Sequence, residues 1–200
     1  MFLLAEPDAG QIEAFLASQR AAGFSYPEVG ASRLAAPAGY RVDHNRARLG
    51  AGVATFRAAA EALELWRMMT LGWASIVPYL APVAPGVTVA VRVRHYGFWS
   101  LNACRIVYRL DETADGVRRL GFAYGTLPEH GAIGEERFSV EWYEADDGVW
   151  YDMYAFSRPG SLLARLGYPL ARRLQRRFAR ASMRAMADAV SEARDLHAGA

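Results

Sequence analysis

The feature that most restricts this fold lies between residues 87 and 157. Five segments there alternate apolar and polar residues, with only short turns between them. VTVAVRVRHYG (87–97) sets Val87, Val89, Val91 and Val93 against Thr88, Ala90, Arg92 and Arg94. FWSLNACRIVYRL (98–110) follows Gly97 directly, so a tight turn or bulge joins the two. RRLGFAYGTL (118–127) comes next. RFSVEWYEA (137–145) and VWYDMYAFS (149–157) flank Asp146-Asp147-Gly148, a strong hairpin signal. Consecutive strands joined by short turns must pair antiparallel. VDHNRARLG, within residues 40 to 50, reads as an earlier strand of the same sheet.

The chain then closes on one long helical pattern. Pro159-Gly160-Ser161 announces it, and Gly167-Tyr168-Pro169 interrupts or restarts it, with Pro169 suited to a first turn. Apolar residues follow at 163, 166, 170, 174, 178, 181, 185 and 189, a spacing of about 3.7 that matches a helix buried along one stripe. Two further helices are expected, over 8–22 with Asp8 as N-cap and over 53–71. Residues 68 to 91 carry no charge. Gly72, Pro78, Pro82, Pro85 and Gly86 break any membrane helix there, which leaves a buried helix end, a proline loop and a strand start. An antiparallel sheet plus one long single-striped helix is an α+β layer structure, with the helix on one face of a curved sheet and a cavity between them.

At 200 residues the chain suits a single domain, 1–200. All 23 basic residues are arginine. Residues 158 to 184 hold eight of them and no acid, which leaves 15 arginines against 21 acids elsewhere. Cys104 is the only cysteine, so neither a disulfide nor a CxxC motif can form. MFLLAEPDAG at the N-terminus lacks the basic region and apolar length of a signal peptide, and a cytoplasmic location is expected.

Most chemical motifs are missing. His44, His95, His130 and His197 show no metal-ligand spacing, so no metal and no cofactor are expected. No G-x-S-x-G elbow or dinucleotide glycine pattern occurs. Glu135 and Glu136 are neighbours in an extended segment and point to opposite faces, which rules out a glycosidase-like pair. The default for them is a solvated or salt-bridged loop entry.

The strand faces say more. In 120–126, Gly121, Ala123 and Gly125 present a face without bulk, open to a helix, a side chain or a ligand. In 98–108, Phe98, Ser100, Asn102, Cys104, Ile106 and Tyr108 suit a pocket wall. The opposite face holds Trp99, Leu101, Ala103, Arg105, Val107 and Arg109, and either face can lie inside. Arg105 would then need a partner, and Glu141 is a candidate. Trp142, Tyr143, Trp150, Tyr151, Tyr154 and Phe156 crowd the last hairpin as core, or as a ligand-facing lining. In VDHNRARLG, alternation puts His44 and Arg46 on one face and Asp43 on the other.

GYRVDHNRARLGAG (39–52), LGWASIVP (71–78), GFWSLNACRIVY (97–108), LGFAYGTLPEHGAIGEERFSVEW (120–142) and VWYDMYAFSRPGSLLARLGYPLARRLQRRFARASMRAM (149–186) resemble the family called domain of unknown function 1990. The layout is similar to the helix-grip fold of the START-like superfamily, which includes the birch pollen allergen and polyketide cyclases. The resemblance implies a curved antiparallel sheet around a long C-terminal helix and a hydrophobic ligand cavity. It supplies no catalytic residues.

Three readings of function follow. The first is binding of a small hydrophobic or amphipathic ligand between sheet and helix, through His44, Arg46, Trp99, Asn102, Arg105, Tyr108, Tyr124, Glu141, Trp142 and Tyr151. The second is a cyclase, isomerase or hydrolase in the same cavity. There His44 would be the proton shuttle, Arg46 or Arg105 would hold an anionic group, and Tyr124 would donate a hydrogen bond. The third is an interaction protein that uses the arginine-rich helix, with peripheral contact to an acidic membrane surface. No nucleic-acid motif interleaves the arginines with aromatics, and nucleic acid is not expected as a partner.

Overall fold

The computed structural model describes residues 1–160 and 168–198. In chain order the elements are β1 (Phe2–Leu3), α1 (Ala9–Gln19), β2 (Arg41–Ala51), α2 (Gly52–Glu64), β3 (Ala74–Val77), β4 (Thr88–Arg94), β5 (Trp99–Ala114), β6 (Val117–Thr126), β7 (Ala132–Tyr143), β8 (Gly148–Pro159) and α3 (Tyr168–Ala198). The strands make one antiparallel sheet in the order β2-β8-β7-β6-β5-β4-β3, with β1 paired to β5. Strands β3 to β8 form a meander, as short turns require, and β2 joins its far edge on β8. The sheet curls round α3, which is the helix-grip arrangement.

Asp8 caps α1 by accepting from the Gln11 N–H at 2.8 Å, and Gln11 returns the bond to the Asp8 N–H, a capping box. The second helix is shorter than its apolar pattern suggests. It ends at Glu64, and Trp66 adopts a left-handed φ of 56°. Tertiary packing fixes this turn. The Trp66 indole N–H donates to the Ala81 carbonyl at 2.7 Å, and its ring packs edge-on to Phe122. LGWASIVP contributes strand β3 rather than a helix end. Ile76 and Val77 pair there with Val91 and Ala90, where β-branched residues fit the pleat.

Two apolar layers flank the sheet. The main core lies between its inner face and α2 and α3, around Phe122, Phe138, Tyr151, Met68 and Met186. A smaller cluster on the outer face packs Phe15 and Leu16 of α1 on Leu101, Ala103 and Leu127. The bare face of β6 belongs to this outer side. A Cβ on Gly125 would lie 2.0 Å from the Tyr26 hydroxyl oxygen, and one on Gly121 would lie 2.2 Å from the Phe138 carbonyl oxygen. The loop after α1 and the neighbouring strand fill that space, so neither α3 nor the cavity uses it.

The buried face of α3 is rotated by about one position from the expected stripe. Ala179, Ser182, Met186, Ala189 and Val190 are buried, whereas Leu170 is 57% exposed. Small residues occupy the closest approach to the sheet, where the Ser182 and Tyr151 hydroxyls hydrogen-bond at 2.9 Å. The larger Leu174 and Phe178 border the cavity instead. The expected stripe positions Leu163 and Leu166, with Ser161, Arg165 and Gly167, lie outside the described residues, as does the side chain of His197.

Candidate functional site

Strand register builds the site. Asp43 pairs with Ala155, Ala155 with Glu136, Glu136 with Tyr124, and Tyr124 with Ile106. One row of side chains therefore crosses five strands on the inner face. The row below it is apolar, with Met153 opposite Phe138 and Phe138 opposite Phe122. Above the first row, towards the N-terminal turns of α3, the sheet and helix separate round a cavity of about 290 Å³. Trp73, Val91, Met153, Leu174, Phe178 and Ala179 supply most of its apolar wall.

Three sets of polar groups border it, beside Asn45, Thr126, Ser157, Gln175 and Arg176. Glu136 and Tyr124 form the first, with the Tyr124 hydroxyl donating to Glu136 Oε2 at 2.8 Å. Glu136 is half-buried, and the accessible part of its side chain opens on the cavity. Burial, helped by the Asp43 charge, pushes its carboxyl up to about 7, against the opposing pull of the Tyr124 hydrogen bond. Burial and the adjacent carboxylate raise the Tyr124 phenol well above its ordinary value, so it stays a donor.

Asp43 and Arg172 form the second set. The Arg172 guanidinium bridges both Asp43 oxygens, with Nη2 to Oδ1 at 2.6 Å. Arg172 is 8% exposed, and the pairing offsets the burial of its charge. The bridge pins the N-terminal part of α3 to β2.

His95, Ser100 and Asn102 form the third. His95 Nε2 lies 2.9 Å from Ser100 Oγ, and the Asn102 amide donates to the same oxygen at 2.9 Å. His130 completes the rim, with Nδ1 3.0 Å from the Ala132 backbone. Burial lowers His130 to about 4 and lowers His95 as well, so both rings are neutral at pH 7. Cys104 is fully buried, and its thiol is held protonated.

Of the residues singled out from sequence, Tyr124 and Asn102 line this cavity. Tyr151 is buried in the adjoining core on Ser182, and Trp142 packs at the core edge against Phe56. Trp99 borders a separate groove beside β3. His44, Arg46, Arg105, Tyr108 and Glu141 face away from the cavity, on the outer side of the sheet. There Asp152 accepts from Arg137 at 3.0 Å and meets His44 Nε2 at 2.6 Å and Arg46 Nε at 3.0 Å. Glu141 holds Arg46, Arg119 and the Tyr143 hydroxyl.

Arg105 does not pair with Glu141. It donates to the Gln19, Arg20 and Ala22 carbonyls and so closes the C-terminal end of α1. Tyr108 shares a 2.6 Å hydrogen bond with Ser32. The two neighbouring acids separate as alternation requires. Glu135 faces outward and accepts from the Tyr26 hydroxyl and the Gly30 and Ser32 N–H groups, while Glu136 faces the cavity.

Glu136, His95 and His130 did not emerge as site residues from the sequence. A signal for Glu136 was present. In EERFSVEW it shares the apolar phase with Phe138, Val140 and Trp142, so an acid stands in the inward face of a strand. The histidines gave no such sign, because both sit in turns without periodicity.

A family model described as a domain of unknown function, DUF1990, matches residues 25–185. The chain belongs to this family. DUF1990 spans the whole meander and most of the described α3, so the cavity is built from family sequence throughout. A UPF0548 protein from Dictyostelium discoideum is 34% identical over 95% of this chain and 96% of its own length. Another, from Deinococcus radiodurans, is 38% identical over 90% of this chain and 94% of its own.

Among solved structures, Ara h 8.0201 overlaps 77% of this chain and 99% of its own at a TM-score of 0.45 and 13% identity. A norcoclaurine synthase from Thalictrum flavum overlaps 79% and 98% at a TM-score of 0.45 and 13% identity. Overlaps this loose carry no argument about what a DUF1990 cavity holds. Among the described residues, no group of three or more His, Cys, Asp or Glu is placed to hold a metal ion, and no helix is long and apolar enough to cross a membrane. The exposed α3 arginines include Arg173, Arg180 and Arg184, while Arg177 lies over the Trp73 ring at 4.3 Å.

Proposed function

We propose that this DUF1990 protein binds a small, mostly apolar molecule with one polar head in the cavity between the sheet and α3. The observation that carries the reading is the composition of the cavity wall. The wall is mostly apolar, and of its two inward carboxyls Asp43 is held by Arg172, whereas Glu136 has Tyr124 as its only hydrogen-bond partner among the described residues. Burial of a carboxyl with one hydrogen bond costs stability. A ligand head group that bonds to Glu136 offsets that cost. The volume of about 290 Å³ lies at the low end for small-molecule sites. The histidine and arginine on the outer face, His44 and Arg46, take a structural role in this reading.

Titration with N-phenyl-1-naphthylamine, a neutral dye that fluoresces in apolar surroundings, tests it. Ala155 lines the cavity between Asp43 and Glu136, and an indole at that position would fill it. Saturable one-to-one binding to the native chain, lost in a folded Ala155→Trp variant, is expected. Equal binding by both proteins, or no uptake by the native chain, would refute the reading.

A further inference from the structure

We infer that the head group is a cationic amine, so that the ligand is an apolar organic ammonium whose nitrogen pairs with Glu136. The inference rests on the cavity-binding reading above. Its basis is the charge inventory of the cavity wall. Asp43 is matched by Arg172, which grips both its oxygens. Glu135 turns outward onto three donors. His95 and His130 are neutral at pH 7. Arg176 lies on the exposed side of α3, at the margin, where solvent screens it.

Glu136 is therefore the inward acid left with a single neutral donor, the Tyr124 hydroxyl. The groups that face it from neighbouring elements are Tyr124 on β6, Asp43 on β2, Tyr151 on β8 and Cys104 on β5. None of these sheet groups is cationic, and of the α3 cations Arg172 is committed to Asp43 while Arg176 stands at the exposed margin of the cavity. Asp43 contributes little net potential because Arg172 neutralises it, so the ionised Glu136 is the charge that a cation would meet. An ammonium at Glu136 replaces an uncompensated buried charge with a hydrogen-bonded pair. The rings of Tyr124 and Phe178 offer aromatic surface to the apolar body and to the cation.

Three matched probes decide the question. They are 2-(1-naphthyl)ethylamine, 2-(1-naphthyl)ethanol and 1-naphthylacetate, titrated calorimetrically into the full chain. At pH 8 the amine is expected to bind about tenfold or more tightly than the alcohol, and the acetate most weakly, since each unit by which an ion pair lowers the Glu136 pKa is worth a factor of ten. Amine affinity should climb as pH rises through about 7, where Glu136 ionises, while alcohol affinity stays flat or falls. Glu136→Gln should abolish the preference and keep the alcohol bound. The native chain's pH profile gives the same answer if that variant fails to fold.

Alcohol or acetate binding as tightly as the amine, a flat amine profile from pH 5.5 to 8.5, or a preference that survives in Glu136→Gln would overturn the amine assignment alone. Failure of all three probes and of the neutral dye would overturn the cavity reading itself.

Discussion

The Tyr124 hydroxyl sits 2.8 Å from Glu136 Oε2, directly across the β6–β7 pair, at the floor of a cavity whose other walls are mostly apolar. The contact puts a titrating group beside a mostly apolar cavity. It lies on the inner face of the sheet, which borders the cavity, whereas the outer face carries the Asp152 and Glu141 ion pairs.

Glu136 should make stability fall as pH rises. Its carboxyl stands at about 7 in the folded chain against 4.5 unfolded, so the folded state holds the proton more tightly in that window. That stabilisation is complete below about pH 4.5 and is lost as pH climbs through 7, at a cost of order 1–3 kcal/mol. Glu136→Gln removes the slope. Urea unfolding at pH 5 and pH 8 should show the variant gaining on the native chain at the higher pH, and an unchanged difference would count against a buried, uncompensated acid.

His130 should act in the opposite sense. Burial lowers its folded pKa to about 4 from 6.5, so the neutral ring is the native form. Its contribution is present above pH 6.5 and is lost as pH falls towards 4, because the unfolded chain takes up the proton first. Imidazole resonances in a ¹H–¹⁵N spectrum should show His130 untitrated between pH 8 and pH 5.

Asp152→Ala should destabilise without touching ligand binding. The Asp152 side chain is 3% exposed and serves Arg137, Arg46 and His44 together. Its loss strands partly buried cations and is expected to cost roughly 3 kcal/mol. Arg46→Ala, at a more exposed position, should cost about 1 kcal/mol. Neither variant, nor His44→Ala, should change dye affinity. A drop in affinity with His44→Ala would return that residue to the ligand site.

Gly125→Ala should also destabilise. The new methyl would collide with the Tyr26 hydroxyl oxygen at 2.0 Å, and Tyr26 is anchored to Glu135 at 2.6 Å. Overpacking at such a contact costs about 1–3 kcal/mol. Chemical denaturation measures it directly, and a neutral outcome would mean that the loop carrying Tyr26 moves aside freely.

Much of this architecture was legible in the residues. Period-two alternation from 87 to 157 and the closing helical stripe specify a meander around a helix. The same alternation correctly splits His44 and Arg46 from Asp43. It leaves open which face of each strand is inside, because β2, β5 and β8 carry polar groups on both faces. The outer face here is a partly buried ionic layer, and Arg46 on β2 meets Glu141 on β7 only when β2 docks on β8 and β8 on β7. Pairings of that range come from strand order, which local patterns do not encode. Strand β3 was hidden because ASIV is too short to display a period, and the helix break at Trp66 because it depends on an indole contact with Ala81.

A ligand held beneath α3 must perturb the backbone that lines that space. Amide chemical-shift mapping with 2-(1-naphthyl)ethylamine tests it most directly. The largest perturbations are expected at Asn102, Tyr124, Glu136, Ala155 and Ala179, with saturation at one equivalent. Perturbations centred on His44, Arg46 and Trp150, or along the exposed arginines of α3, would contradict it.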